Sequence, residues 1–419
     1  MSTHLSDVWF SVTPLQVASG RGCWVTTTSG DEYLDFAAGI AVNSTGHAHP
    51  KVVEAIATQA GRFIHAQVNV FKHDLLEPLA AKLAEITPAG IEKFFYANSG
   101  AEITEAAVKL AKQATKRPNI IVFSGSFHGR THMAMAMTTS KTGYRAGHAP
   151  LPSGVYVAPF PDPLAADQDA EVAAALGGVD HLLKSMTAPD ETAAMILEPV
   201  LGEGGYMPAP PAFIAGLVER CRAHGILFIA DEVQSGFGRT GEMFAVDHYG
   251  IQPDIICMAK GIASGFPFAA LGTTEALDAK WPKGSHGGTY GGNAMGCAAA
   301  LATIEIMSDP AFLQNVRDRG EQLRAGLREL QEHDPGIVQV RGLGLMVGTE
   351  FASAARLAAV QAHCLTEGRV ILMNAGTYAT TLRWMPPLIV DAHEIEVGLT
   401  AFAAALKATS STGSTEVAG

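Results

Sequence analysis

A chain of 419 residues with 47% apolar and 17% charged side chains can bury a large core, enough for two domains or one large and one small. Its formal net charge of −12 argues against nucleic acid or an anionic membrane as the main partner, and no apolar run reaches membrane-spanning length. Cys23, Cys221, Cys257, Cys297 and Cys364 are scattered without a CxxC pair, which argues against a disulfide frame or a zinc site. The N-terminus MSTHLSDVWFS lacks the basic flank and apolar centre of a signal peptide, so a soluble cytoplasmic protein is expected.

Residues 1–34 read as an irregular arm and a small hairpin, punctuated by Gly20, Gly22 and Gly30. DFAAGIAVNSTGHAHP then leads through Pro50 into an amphipathic helix over about 51–62. His47 and His49 stand two apart in a Gly/Pro turn without further ligands, so no metal site is expected. From Asp74 onward helices and strands alternate, the mark of a doubly wound α/β sheet. A helix over 75–86 precedes the strand KFFYAN, and Ser99-Gly100-Ala101 opens a helix reaching about 114. A small-residue turn at a helix N-terminus offers free N–H groups and the positive end of the helix dipole to a phosphate. Strands follow at 119–123 and 155–160, a loop with one surface helix at 161–190, and a strand at 194–198. Glu198 and Glu203 in EPVLGEGGY have the look of a glycosidase acid/base pair, but nothing else in the chain points to sugars.

The stretch ILFIADEVQSGFGRTGEMFAVDHYGIQPDIICMAK carries the chemistry. Its apolar runs at 226–230 and 254–258 read as buried parallel strands joined by a crossover. Asp231 and Lys260 then stand at strand carboxyl ends, where open α/β sheets bind ligands. A lysine buried there loses its proton and becomes a nucleophile for carbonyls, while an acid suits the ring nitrogen of a pyridine cofactor. The conjunction predicts pyridoxal phosphate. Beyond it lie a helix over 294–307, long helices with short strands to about 410, and a solvated tail, ATSSTGSTEVAG. Gly342, Gly344 and Gly348 in VRGLGLMVGTEF read as one strand with close backbone contacts. The expected division is an arm and part of a small domain at 1–54, a large cofactor-binding domain at 55–300, and a C-terminal small domain at 301–419 with disorder from about 408.

The D-E-x-Q-x-G-x-G-R-T-G segment at 231–241, followed by A-K-G at 259–261, resembles the class III (ω-amino acid) aminotransferases, and most of all their 4-aminobutyrate enzymes. G-H-x-H-P at 46–50, N-S-G-A-E at 98–102 and E-P-V-x-G-E-G-G at 198–205 extend the resemblance over about 35–387. It implies a pyridoxal-phosphate-dependent transferase of fold type I: a large domain with a mostly parallel doubly wound sheet, and a smaller α+β domain. It also implies a homodimer or dimer of dimers. By the same resemblance Lys260 and Asp231 are catalytic. Ser99, Gly100, Ala101, Phe127, His128, Glu198, Val233 and Gln234 join them around the cofactor, and Thr289 reaches the phosphate held by a neighbouring subunit. Ile40, Arg130, Glu203 and Arg383 would meet substrate, with Arg383 facing Glu203. Leu201, where many 4-aminobutyrate enzymes have Gln, and Trp384-Met385 depart from the family pattern. The activity implied is transfer from 4-aminobutyrate to 2-oxoglutarate. An acetylornithine or amine:pyruvate enzyme, a racemase or epimerase, and a cofactor-free binding protein are the competing readings.

Overall fold

The computed structural model describes residues 4–410; the expected disordered tail lies, from 411 on, outside the described residues. At the centre is a seven-stranded sheet in the order Lys93–Ala97, Ala269–Thr273, Ile255–Met258, Leu227–Asp231, Thr192–Leu197, Asn119–Phe123, Val155–Ala158. Of these strands only Ala269–Thr273 runs against the rest, pairing antiparallel on both sides. Asn119–Phe123, Thr192–Leu197 and Ile255–Met258 are buried along their whole length, which is why they read as continuous apolar runs. Alternate residues serve opposite faces: Ile229, Ile196 and Ile255 pack toward the helix Gly100–Thr115, and Phe228, Met195 and Ile256 toward Pro211–His224. The helix Ala294–Met307 is apolar almost all round, as a helix enclosed by its neighbours must be, and packs against Pro50–Arg62. No single helix among the described residues is long and apolar enough to cross a membrane.

A second, antiparallel sheet joins Ile337–Leu343, Met346–Phe351, Thr381–Trp384 and Met373–Ala375. The helices Pro310–His333, Ala354–Thr366 and Ala392–Ala408 belong to the same part of the chain. The N-terminal hairpin Val17–Arg21/Trp24–Thr27 runs on into Glu32–Asp35, which pairs in parallel with Val370–Ile371 from the far end of the sequence. Trp24 Nε1 donates to Glu394 Oε1 at 2.9 Å and fastens the two ends together.

One sequence expectation needs correction, and one strand went unread. VRGLGLMVGTEF is not one strand but the two strands Ile337–Leu343 and Met346–Phe351 folded back on each other. Gly344 makes the turn with φ of 52°, and a Cβ there would lie 2.3 Å from the backbone of Thr240, so glycine answers both to the turn and to the close approach. The unread strand is Ala269–Thr273, a short apolar run whose reversed direction leaves no trace in its composition.

Candidate active site

The carboxyl ends of five parallel strands surround one cavity of about 380 Å³, where the crossover connections leave a crevice in the sheet. Lys93–Ala97 runs into Ser99, whose hydroxyl caps the helix Gly100–Thr115 by accepting from the Glu102 N–H. The first-turn N–H groups of Gly100 and Ala101 have no acceptor within the helix, and both residues line the cavity. The segment after Asn119–Phe123 contributes Phe127, His128 and Arg130, and the segment after Leu227–Asp231 contributes Val233 and Gln234. Gln234 Oε1 is buried without a partner, an orphaned polar atom on the cavity wall.

Asp231 forms part of the wall with both oxygens engaged. Oδ1 accepts from the Val233 N–H at 3.1 Å and Oδ2 accepts from His128 Nδ1 at 2.7 Å. A carboxylate only accepts, so His128 carries a proton on Nδ1. Glu198 accepts from the Phe127 and Gly202 N–H groups at 2.7 and 2.9 Å, and burial, with Asp231 nearby, holds its carboxyl above the ordinary range. Lys260 opens the turn that follows Ile255–Met258 with a φ of 46°, a left-handed conformation uncommon for a residue with a side chain. Burial lowers its ammonium to about 8, against the opposing pull of Glu203, Glu198 and Asp231.

Beside the cavity, Arg383 is 2% exposed and paired with Glu203 through Nη1 and Oε1, while its Nη2 donates to the Asn374 carbonyl at 3.1 Å. Burial pushes the Glu203 carboxyl up, but Arg383 and Lys260 together bring it below its ordinary value. Arg130 has no carboxylate partner among the described residues; its guanidinium lies 5.0 Å from the Tyr144 ring centre and 5.8 Å from that of Phe127.

A profile described as "Aminotransferase class-III" matches residues 6–406. The chain belongs to the class III aminotransferase family. It is 40% identical over 395 residues to a 5-aminovalerate aminotransferase of Pseudomonas putida and 39% identical over 396 to a 4-aminobutyrate aminotransferase of Escherichia coli, each alignment covering 92% of both chains. Among solved structures, a PLP-bound amine transaminase from an uncultivated Pseudomonas species superposes with a TM-score of 0.91 at 26% identity, covering 98% of this chain and 99% of that one. The ornithine aminotransferase of Toxoplasma gondii superposes with a TM-score of 0.88 at 27% identity, covering 98% and 94%.

This aminotransferase is pyridoxal-phosphate-dependent, as its family is, and acts on a small-molecule amino donor and an oxo-acid acceptor. The cavity suits the cofactor in kind: free helix N–H groups for a phosphate, an orphaned amide oxygen, a carboxylate for a ring nitrogen, and an amine of lowered pKa for an aldehyde. Ser99, Gly100, Ala101, Phe127, His128, Glu198, Asp231, Val233, Gln234, Lys260 and Arg130 all line it. Glu203, Arg383, Ile40 and Thr289 do not. Ile40 lies 39% exposed in a left-handed turn from Ala38 to Ala41, and it is Val42 that reaches the cavity. Thr289 is exposed in the segment before Ala294–Met307. Sequence reasoning missed the lining residues Phe266, Pro267 and Phe268, although the run GFPFAA right after Lys260 was a usable signal. It also missed Tyr144, whose hydroxyl donates to Glu203 Oε2 at 3.0 Å and which carried no signal at all.

Proposed function

We propose that this aminotransferase moves the amino group of an ω-amino acid, foremost 4-aminobutyrate, to 2-oxoglutarate, yielding succinate semialdehyde and glutamate in two ping-pong half-reactions. The observation that carries this reading is the buried Glu203–Arg383 pair beside an Arg130 free of any carboxylate among the described residues. An ω-amino acid keeps its carboxylate several bonds from the amine, whereas glutamate also bears one on the reacting carbon. The site must therefore hold one carboxylate in both half-reactions and a second in only one. Arg130 meets the first need. Arg383 meets the second: Glu203 neutralises it beside the apolar stretch of an ω-amino acid, where an unpaired buried guanidinium would be costly, and turns away when an α-carboxylate arrives. The likeness to enzymes named for 4-aminobutyrate and 5-aminovalerate supports the same donor class.

Pyridoxal phosphate, when bound, supplies the electron sink that lets the amine-bearing carbon give up its proton. Lys260 would carry it covalently and, as a free amine, would take that proton; a pKa near 8 makes the neutral amine accessible close to neutrality. Asp231, oriented by His128 and the Val233 N–H, keeps the ring nitrogen protonated. Ser99, Gly100 and Ala101 would hold the phosphate, with Gln234, Phe127 and Val233 around the ring, while Glu198 fixes the Phe127 backbone. Thr289, exposed before Ala294–Met307, would be free to reach the phosphate held by a second copy in a homodimer or dimer of dimers.

Arg383→Ala should slow the glutamate half-reaction by roughly 10²-fold, the worth of a charge-assisted carboxylate contact, and the 4-aminobutyrate half-reaction far less. Arg130→Ala should slow both. Single-turnover kinetics on each half-reaction measure this, and equal losses for Arg383→Ala would remove the switch. A panel of 4-aminobutyrate, 5-aminovalerate, acetylornithine and simple amines against 2-oxoglutarate and pyruvate tests the substrates. Preference for pyruvate would make this an amine:pyruvate enzyme, and racemisation without net transfer would make it an epimerase.

A further inference from the structure

Tyr144 stands apart from the strand ends that supply most of the site, at the end of the short turn Thr142–Tyr144. Its side chain nevertheless touches both arginine arms. The hydroxyl donates to Glu203 Oε2 at 3.0 Å, while the other oxygen of that carboxylate is on Arg383. The ring meets Phe127 edge-on at 5.1 Å and lies under the guanidinium of Arg130 at 5.0 Å. Glu203 is thus held at both oxygens, and a rotation that frees Arg383 carries the carboxylate away from the tyrosine as well. Arg383 keeps the Asn374 carbonyl and the Tyr206 ring in that event, with Nε already buried and unpartnered, so an incoming carboxylate finds a guanidinium with donors to spare.

We propose that Tyr144 is a positioning residue that holds Glu203 in the closed position on Arg383 and so sets how strongly the enzyme resists α-carboxylate substrates. The proposal rests on reading Glu203–Arg383 as the switch between half-reactions. Binding of an α-carboxylate is then weakened by the small fraction of enzyme in which Arg383 is free, and the tyrosine hydroxyl keeps that fraction small. An ω-amino acid binds the closed form, already the major one, and depends on the hydroxyl only slightly. The two substrates therefore respond to its removal in opposite directions.

Tyr144→Phe keeps the ring on Phe127 and Arg130 and deletes only the hydroxyl. In calorimetric titration of the cofactor-loaded enzyme without an amino donor, 2-oxoglutarate should bind about tenfold more tightly to this variant. In single-turnover assays 4-aminobutyrate should lose affinity by less than about threefold. A merely structural role would weaken both ligands, and unchanged or weaker 2-oxoglutarate binding overturns the proposal. Glu203→Gln separates this from the underlying reading. If it fails to tighten 2-oxoglutarate binding, the switch itself is wrong; if it tightens binding and Tyr144→Phe does not, only the tyrosine's part is. Tyr144→Phe added to Glu203→Gln should change binding by less than about twofold. Full additivity would mean that the hydroxyl acts on the oxo acid directly and would overturn a positioning role.

Discussion

Lys260→Ala is expected to lower turnover by about 10³-fold or more, because it removes the proton-transfer base along with the covalent anchor. The protein should still fold and retain pyridoxal phosphate through its phosphate contacts, so the loss appears in kcat while cofactor absorbance persists. In the unmodified enzyme, borohydride reduction and peptide mapping should place the pyridoxyl group on Lys260, and a label on any other lysine would refute the assignment. The lowered pKa adds a second handle. An amine titrating at about 8, not the ordinary 10.5, is half neutral at that pH. Cofactor uptake by the stripped protein should therefore rise about tenfold per pH unit below 8 and level off above it. A rise that continues toward pH 10 would show that burial does not tune this amine.

Asp231→Asn should cost roughly 10²–10³-fold in kcat, the scale of losing one preorganised charge from a water-excluded site. The hydrogen bonds around it sharpen the expectation. The carboxylate accepts from both Val233 and His128; an amide offers one acceptor and one donor. If the Asn amide nitrogen faces His128, the ring must carry its proton on Nε2, which is buried without a partner. Orphaning that N–H costs about 1–3 kcal/mol, so the variant should lose stability as well as rate, seen as a lower urea midpoint. Glu232→Gln is the control. Glu232 is fully buried but accepts from Ser235 Oγ at 2.5 Å and from the Val246 N–H at 2.8 Å, and it does not line the cavity. It should keep most of its activity, and an Asp231→Asn enzyme equally active would refute the pairing with the ring nitrogen.

The central residues were legible in the sequence because their signals are local. An apolar run that stops at Asp231, another that stops before Lys260, and a Ser-Gly-Ala turn opening a helix depend on residues a few positions apart. They locate strand ends and a helix cap without knowledge of the rest of the molecule. The family register added Arg130, Glu203 and Arg383 and implied that Arg383 faces Glu203, as it does. Tertiary structure alone decided that His128 orients Asp231 across 103 positions and that Tyr144 holds the other oxygen of Glu203 across 59. It also decided that Ala269–Thr273 runs backwards and that Val42, not Ile40, reaches the cavity. Burial and capping are settled by a residue and its near neighbours. Which side chains face one another is settled by strand order and by the packing of one sheet against the other, and no window of sequence contains both partners.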